Sequence, residues 1–345
     1  MIAIELQNIS KRFPGNSQPA VDNINLKVSE GEILVLLGES GSGKTTIMRL
    51  IAGIENPEFG EIKIGDITVA SKSTFIPAEE RKVGLVFQDY ALFPHLTVAR
   101  NIAFGLFGLN SDKKKERVSQ MLEIVGLKGF DNRYPHQLSG GEQQRVAVAR
   151  TLAPHPQAIL LDEPFSNLDD SIKVKMRMEL KRIINSIGIT AIIVTHDIQD
   201  TFGIADRVAL IRSGALIQSG KPMELYNHPV DEYVANFFGR TNIISGSRKG
   251  QYIESALGEF KMGDDNFNKI CIRPEDIIAR KDSDHGIKAR LIEINYVGDH
   301  VILRFEVPWK ESIQEILVKA YIIEDWGVDD YYFLIPRKDK VHFLN

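Results

Sequence analysis

The sequence predicts an α/β domain built on a largely parallel sheet, followed by a small all-β domain. Three features carry that reading. Ile33-Leu34-Val35-Leu36-Leu37 is a continuous apolar run, as expected of a parallel strand buried on both faces, and it leads into a glycine-rich turn and an apolar helical stretch over 46–52. Two later runs, 158–162 and 190–195, repeat that texture around a helical segment over 170–187. Beyond Gly239-Arg240-Thr241-Asn242 the pattern changes to short alternating runs separated by turn residues, so the expected domains are 1–239 and 240–345. A chain of 345 residues is long enough for one large and one smaller domain.

Taken in order, Ile2, Ile4 and Leu6 alternate with Ala3, Glu5 and Gln7, and Ile24, Leu26 and Val28 alternate with polar neighbours. Both patterns predict antiparallel strands with one solvated face. Lys11-Arg12-Phe13-Pro14-Gly15 reads as a loop, 60–65 as a short strand, and 82–87 as a core strand ending at Gln88. Residues 97–153 read as a helical insertion. Thr97 caps a helix over 99–106, a second over 113–125 sets Val118, Met121, Leu122 and Val125 on one face, and Ser139 caps a third running to Ala153. Lys113-Lys114-Lys115 reads as a solvated helix face, and 207–218 as a hairpin turning at Ser213-Gly214. Two short helices end near Phe238. In the second domain, strands over 269–272, 288–294, 301–307 and 331–335 predict a small barrel, with a sandwich left open by runs this short.

Gly38-Glu39-Ser40-Gly41-Ser42-Gly43-Lys44-Thr45 fits G-x-x-x-x-G-K-[ST] between a strand and a helix that opens at Thr46. Glycines let backbone N–H groups close around phosphate oxygens, and the helix N-terminus adds partial positive charge. Lys44 is expected to reach the β- and γ-phosphates, and the Thr45 hydroxyl to ligate Mg²⁺. Leu138-Ser139-Gly140-Gly141-Glu142-Gln143-Gln144 opens a helix with a serine and two glycines, which suits a second anion site or an ordinary helix cap. Asp162-Glu163 ends a buried strand in two carboxylates, one suited to the metal side and one to the γ-phosphate side. His196 and Gln88 also end strands, where a γ-phosphate or an attacking water could be met. Phe13 suits either adenine stacking or packing.

Bulk properties narrow the class. The chain is 43% hydrophobic and 26% charged, ordinary for a globular protein, and its net charge of −4 gives no support for nucleic-acid binding. The single cysteine, Cys271, excludes an intrachain disulfide and reads as a buried thiol. No apolar run approaches the roughly 18 residues that span a bilayer, and the N-terminus has no signal-peptide pattern. The chain is expected to be cytosolic by itself and to meet a membrane through a partner.

Together the phosphate loop, Gln88, 138–144, Asp162-Glu163, Ser166-Asn167-Leu168-Asp169 and His196 resemble the ATP-binding cassette family in order and spacing, over residues 2–238. Asn167 departs from the alanine that many members carry. The resemblance implies a phosphate-loop ATPase domain that works as a head-to-tail homodimer. Each ATP lies between one copy's loop, Gly38 to Thr46, and the other's Ser139, Gly140, Gly141 and Gln143. It implies Glu163 as catalytic base, His196 as γ-phosphate contact, Gln88 as metal and water contact, Thr45 and Asp162 at Mg²⁺, Phe13 on the adenine and Asp169 in the loop that follows Glu163. The stretch 89–98 resembles the segment that faces an importer permease. The C-terminal module, with Ile272-Arg273-Pro274-Glu275-Asp276-Ile277, resembles the OB-like TOBE barrel of importer ATPases, which adds dimer contacts and sometimes regulation.

The resemblance therefore implies an ATPase on the cytoplasmic face of the membrane, serving a permease and, indirectly, a substrate-binding protein. Gly38 to Gly43, 93–98, 239–242 and the short C-terminal module look most like ferric-iron importers, with polyamine and then sulfate importers as alternatives. Readings from other classes fit less well. A ribosome- or DNA-directed cassette ATPase usually carries two cassettes or a long inserted coiled coil. A GTPase or kinase leaves 138–144 unexplained, and a non-hydrolysing module conflicts with an intact Glu163 and His196.

Overall fold

The computed structural model describes residues 1–166, 168–262, 267–283, 285–321 and 325–344, so Asn167 lies outside the described residues. The chain divides into two compact units, Met1–Pro222 and Met223–Asn345.

The first unit runs β1 (Ile2–Lys11), β2 (Val21–Ser29), β3 (Ile33–Leu37), α1 (Lys44–Ala52), β4 (Phe59–Ile64), β5 (Ile67–Ala70), β6 (Val83–Val86), α2 (Val98–Ala103), α3 (Ser111–Ile124), α4 (Gly140–Leu152), β7 (Ala158–Asp162), α5 (Asp170–Ile187), β8 (Thr190–Thr195), α6 (Ile198–Ile204), β9 (Arg207–Arg212) and β10 (Ala215–Gly220). An antiparallel sheet has the order β2-β1-β4-β5, and a six-stranded sheet the order β10-β9-β3-β8-β7-β6. Only β10 in the larger sheet is antiparallel to its neighbour. Every residue of β3 is buried, and Ile4, Leu6, Ile24, Leu36, Ile47 and Ile192 join both sheets and α1 in one core. Because β3, β7 and β8 are parallel, the residues that follow them emerge at one sheet edge, where open α/β sheets bind ligands.

The strand expected in the core at 82–87 is instead the sheet's edge, with β6 half-buried. Among the described strands it pairs with β7 alone, and its glycine lets a helix close over it. A Cβ at Gly84 would stand 2.3 Å from Thr151 Cγ2, so only glycine lets α4 lie this close.

The second unit takes in most of α7 (Pro222–Asn227), then α8 (Glu232–Phe237), β11 (Asn242–Ser245), β12 (Ser247–Lys249), β13 (Tyr252–Ser255), β14 (Gly258–Lys261), β15 (Lys269–Ile272), β16 (Ile277–Arg280), β17 (Ile287–Val297), β18 (His300–Trp309), β19 (Ser312–Tyr321), β20 (Tyr331–Pro336) and β21 (His342–Leu344). Its strands are antiparallel and form sheets ordered β11-β15-β21, β12-β13-β14 and β16-β20-β17-β18-β19 over a core that includes Leu291, Leu303, Phe305 and Tyr332.

The division after Pro222 differs from a boundary at 239–242, and Arg273 supplies the reason. Its buried guanidinium donates to the carbonyls of Ala235 at 2.9 Å, Gly239 at 3.1 Å and Tyr226 at 2.8 Å, fastening both short helices to the strand end after β15. Periodicity gives no sign of such a bond. Cys271 is buried, and burial pushes its thiol pKa up.

Candidate functional site

The turn from β3 to α1 is pinned from beneath. Gly43 has φ +105°, and a Cβ there would stand 2.3 Å from the Ala20 carbonyl oxygen, so glycine is required on both counts. Lys44 is 4% exposed, and its ammonium donates to the carbonyls of Gly38 and Glu39, each at 2.8 Å. Burial lowers its pKa, and the charges of Glu163, Asp162 and Glu39 oppose that fall. The loop's own carbonyls thus hold the cation in place. Glu39, Ser40 and Gly41 are exposed at the rim, Ser42 is buried, and Thr46 is half-buried in the first turn of α1. Phe13 is half-buried, with Lys11 Nζ 5.3 Å from its ring centroid.

Thr45 Oγ1 donates to Asp162 Oδ1 at 3.4 Å. Burial, and then the neighbouring Glu163, push the Asp162 carboxyl up from its ordinary value. Glu163 has φ +43°, a left-handed backbone that a side-chain-bearing residue adopts at a cost. Its N–H donates to the Val194 carbonyl at 2.9 Å, and Ser166 Oγ donates to its carbonyl at 2.9 Å. Its Oε1 lies 3.1 Å from His196 Nδ1. Gln88 Nε2 donates to Ser166 Oγ at 3.2 Å, so Gln88, Ser166, Glu163 and His196 form one chain of contacts. Val194 and Ser166 thus hold the Glu163 backbone while His196 meets its carboxylate, a group whose chemistry suits accepting a proton.

The second glycine-rich turn is a separate place on the same unit. Ser139 caps α4, and a cavity of about 580 Å³ is lined by Ser139, Gly140 and Gly141 together with Leu168, Asp169 and Lys175. None of Gly38 to Thr46 lines it. Asp169 caps α5 through its backbone, its carbonyl accepting from Ile172 N at 2.9 Å. Gln143 turns inward, its amide donating to the carbonyls of Pro135 at 3.0 Å and Leu138 at 3.3 Å.

Comparison with known proteins decides the family. A family model described as ABC transporter matches residues 21–166, and one described as TOBE domain matches 270–344. The glucose import ATP-binding protein of Saccharolobus solfataricus is 42% identical over 352 residues, spanning 99% of this chain and 98% of that protein. The chain belongs to the ABC transporter family. It is similar also to the Fe(3+) ions import ATP-binding protein of Pseudomonas fluorescens, 41% identical over 290 residues and spanning 83% of this chain and 81% of the other. The spermidine/putrescine import ATP-binding protein of Pseudomonas fluorescens is 40% identical over 314 residues, 86% of each. A solved dimeric ATP-binding cassette in a post-hydrolysis state, bound to ADP and Pi, matches at 33% identity and a TM-score of 0.55, covering 64% of this chain and 98% of that one. The fold class expected from sequence, an ABC-type ATPase domain with an all-β C-terminal domain, is the one found, and the chain is an ATPase.

Three supports of this ABC ATPase escape sequence reading. Arg177 of α5 donates from Nε to Asp200 Oδ1 at 2.6 Å and from Nη2 to Asp197 Oδ2 at 2.8 Å, fixing the segment that carries His196. Fully buried Asn101 of α2 accepts from Phe93 N at 2.9 Å and donates to the carbonyls of Phe93 and Leu96 at 3.1 Å and Thr97 at 3.2 Å. Arg150, near the far end of α4, donates to the carbonyls of Ala91 at 2.6 Å and Tyr90 at 3.0 Å. A polar residue inside an amphipathic helix was the available signal, but its partner is fixed only by the fold. Tyr90, within the 89–98 stretch, is itself buried, its hydroxyl 3.4 Å from the Pro164 carbonyl.

Proposed function

We propose that this ABC ATPase closes as a head-to-tail homodimer around ATP and powers import of a solute through a membrane permease, with ferric iron as the cargo. One juxtaposition supports the catalytic reading best. At a single sheet edge a buried lysine, a hydroxyl–carboxylate pair 3.4 Å apart and a carboxylate–imidazole pair 3.1 Å apart come together. Backbone N–H groups of Gly38 to Thr46 cradle the phosphates, Lys44 leaves its carbonyls for the β- and γ-phosphates, and Phe13 meets the adenine. Glu163 takes the proton of the attacking water, while His196 holds that carboxylate and faces the γ-phosphate. Gln88 senses the same water. Ser139, Gly140 and Gly141 of the second copy supply the donors that one copy lacks, so hydrolysis waits on closure. Gln143 keeps the start of α4 in shape, and Asp169 stands at the edge of the same cavity.

Magnesium fits the donors present. The Thr45 hydroxyl and Asp162 carboxylate are hard oxygen ligands, and burial of Asp162 favours a cation there. No group of three or more His, Cys, Asp or Glu among the described residues could hold a metal unaided, which suits an ion completed by phosphate oxygens. Such an ion would neutralise phosphate charge.

The permease-facing surface is the 87–98 segment with the turn after α2. Phe87 is exposed, half-buried Phe93 stacks on exposed Phe104 at 4.3 Å, and Phe107 is 80% exposed. Asn101 and Arg150 hold this surface rigid against α2 and α4. No helix among the described residues is long and apolar enough to cross a membrane, which fits a peripheral subunit beneath a permease that a substrate-binding protein feeds.

Uptake of labelled ferric iron in cells depleted of the chain, complemented by wild type or Glu163→Gln, tests the cargo. Rescue by wild type alone supports it; uptake indifferent to the chain removes iron. Spermidine and glucose are the next cargoes to measure, since relatives that import them match over as much of the chain.

A further inference from the structure

The start of α4 already holds an anion of its own. Glu142 Oε2 accepts from Ser139 N at 2.8 Å and from Ser139 Oγ at 2.9 Å. Both donors of that serine therefore serve one carboxylate. Hydrogen bonding from the Ser139 backbone holds the Glu142 pKa down, with further help from the Ser139 hydroxyl and from Arg145 and Arg133. Arg145 is itself paired with Glu179 at 2.5 Å. Glu142 is thus a fixed negative charge in the first turn of the helix, in the field that would favour an incoming phosphate.

A hydroxyl has one proton to donate. A phosphate oxygen that takes the Ser139 hydroxyl must draw it away from Glu142 and settle beside that carboxylate. We propose that Glu142 is a brake on nucleotide-driven closure: it occupies the serine and its charge opposes the arriving terminal phosphate, so that closure has to break the Ser139–Glu142 contact first. This rests on the reading of Ser139 as the partner copy's phosphate contact. Glu142 touches no reacting atom and acts through Ser139, so it is a positioning residue.

The test compares full-length wild type, E142Q and S139A. The readouts are KM and kcat for ATP, dimer formation with a non-hydrolysable ATP analogue, and thermal melting. Glutamine keeps an acceptor for Ser139 N–H, so the cap survives while the charge goes. The expected result for E142Q is a KM for ATP lowered about fivefold, the scale of a partly exposed charge interaction. Dimer formation should need less of the ATP analogue than in wild type, while kcat stays near wild type and melting stays within a few degrees of it. Raising salt should shrink the difference. An E142Q protein whose KM and analogue requirement for dimer formation equal wild type, or whose KM rises, overturns the brake. If S139A is impaired in that case, the serine contact stands and only the brake falls. If S139A is also unaffected, the phosphate-contact reading falls with it.

Discussion

Two glycine-rich turns open helices in the first unit, and they are charged in opposite senses. At the start of α1 a buried ammonium, Lys44, is held by backbone carbonyls. At the start of α4 a carboxylate, Glu142, is held by a serine. Both ends carry the same helix dipole, which favours anions. The first turn adds a cation and so invites a polyphosphate on its own. The second holds both donors of Ser139 on Glu142, so under the proposed closure a phosphate would take that serine only by exchange. The pair therefore differs in readiness, and under the proposed closure one ready turn and one guarded turn would make hydrolysis wait on what brings them together.

The largest effect should come from removing the group that does chemistry beside the ready site. Glu163→Gln is expected to lower turnover by about a thousandfold, within the range of a lost general base, with ATP affinity retained. Near-normal hydrolysis would take Glu163 out of that role. Lys44→Ala breaks the comparison directly, because it removes the cation that distinguishes the two turns. ATP affinity should fall about a hundredfold, the loss of charge-assisted hydrogen bonds. A fluorescent-nucleotide titration giving unchanged affinity would show that the backbone cradle alone makes the first turn ready.

Arg177→Ala sharpens the comparison from the side. Arg177 sits on α5, whose first turns line the guarded cavity, and its guanidinium reaches Asp197 and Asp200 beside His196. Removing one partner of a buried ion pair leaves Asp200 uncompensated, a cost of about 3–5 kcal/mol, so melting should drop by roughly 10 °C. An unchanged melting temperature would mean that the pair contributes nothing to the fold.

How much of this was legible depended on the range of the interactions. The β3 run is contiguous with the glycine turn, and β7 with the carboxylates at 162–163, so each strand and the turn after it could be read along the chain. Edge position could not be read for β6. Its apolar letters match a core strand, and only its pairing, with β7 alone among the described strands, reveals the edge. Arg273, Asn101 and Arg177 were silent for a related reason: each satisfies groups far along the chain, and no local pattern names a distant carbonyl. Glu142 was visible as a letter, but its grip on Ser139 needed the helix to form.

The smallest effect has the clearest sign, and it sets the two carboxylates against each other. Burial raises the Asp162 pKa above its unfolded value. Its contribution to stability is therefore fully present below the unfolded pKa and lost as pH rises through the folded one. At neutral pH the nucleotide-free protein bears that cost, so Asp162→Asn should raise its melting temperature by a few degrees, with the gain vanishing in acid. Glu142 behaves in the opposite way. Its folded pKa is depressed, so its stabilisation is present above the unfolded pKa and lost as pH falls through the folded one. Glu142→Ala should lower melting at neutral pH and cost nothing in strong acid. Adding ATP and Mg²⁺ should then reverse the order at the first turn alone, stabilising wild type more than Asp162→Asn. If nucleotide-free Asp162→Asn melts no higher than wild type at neutral pH, Asp162 carries no standing cost, and the ready site is ready because of Lys44 alone.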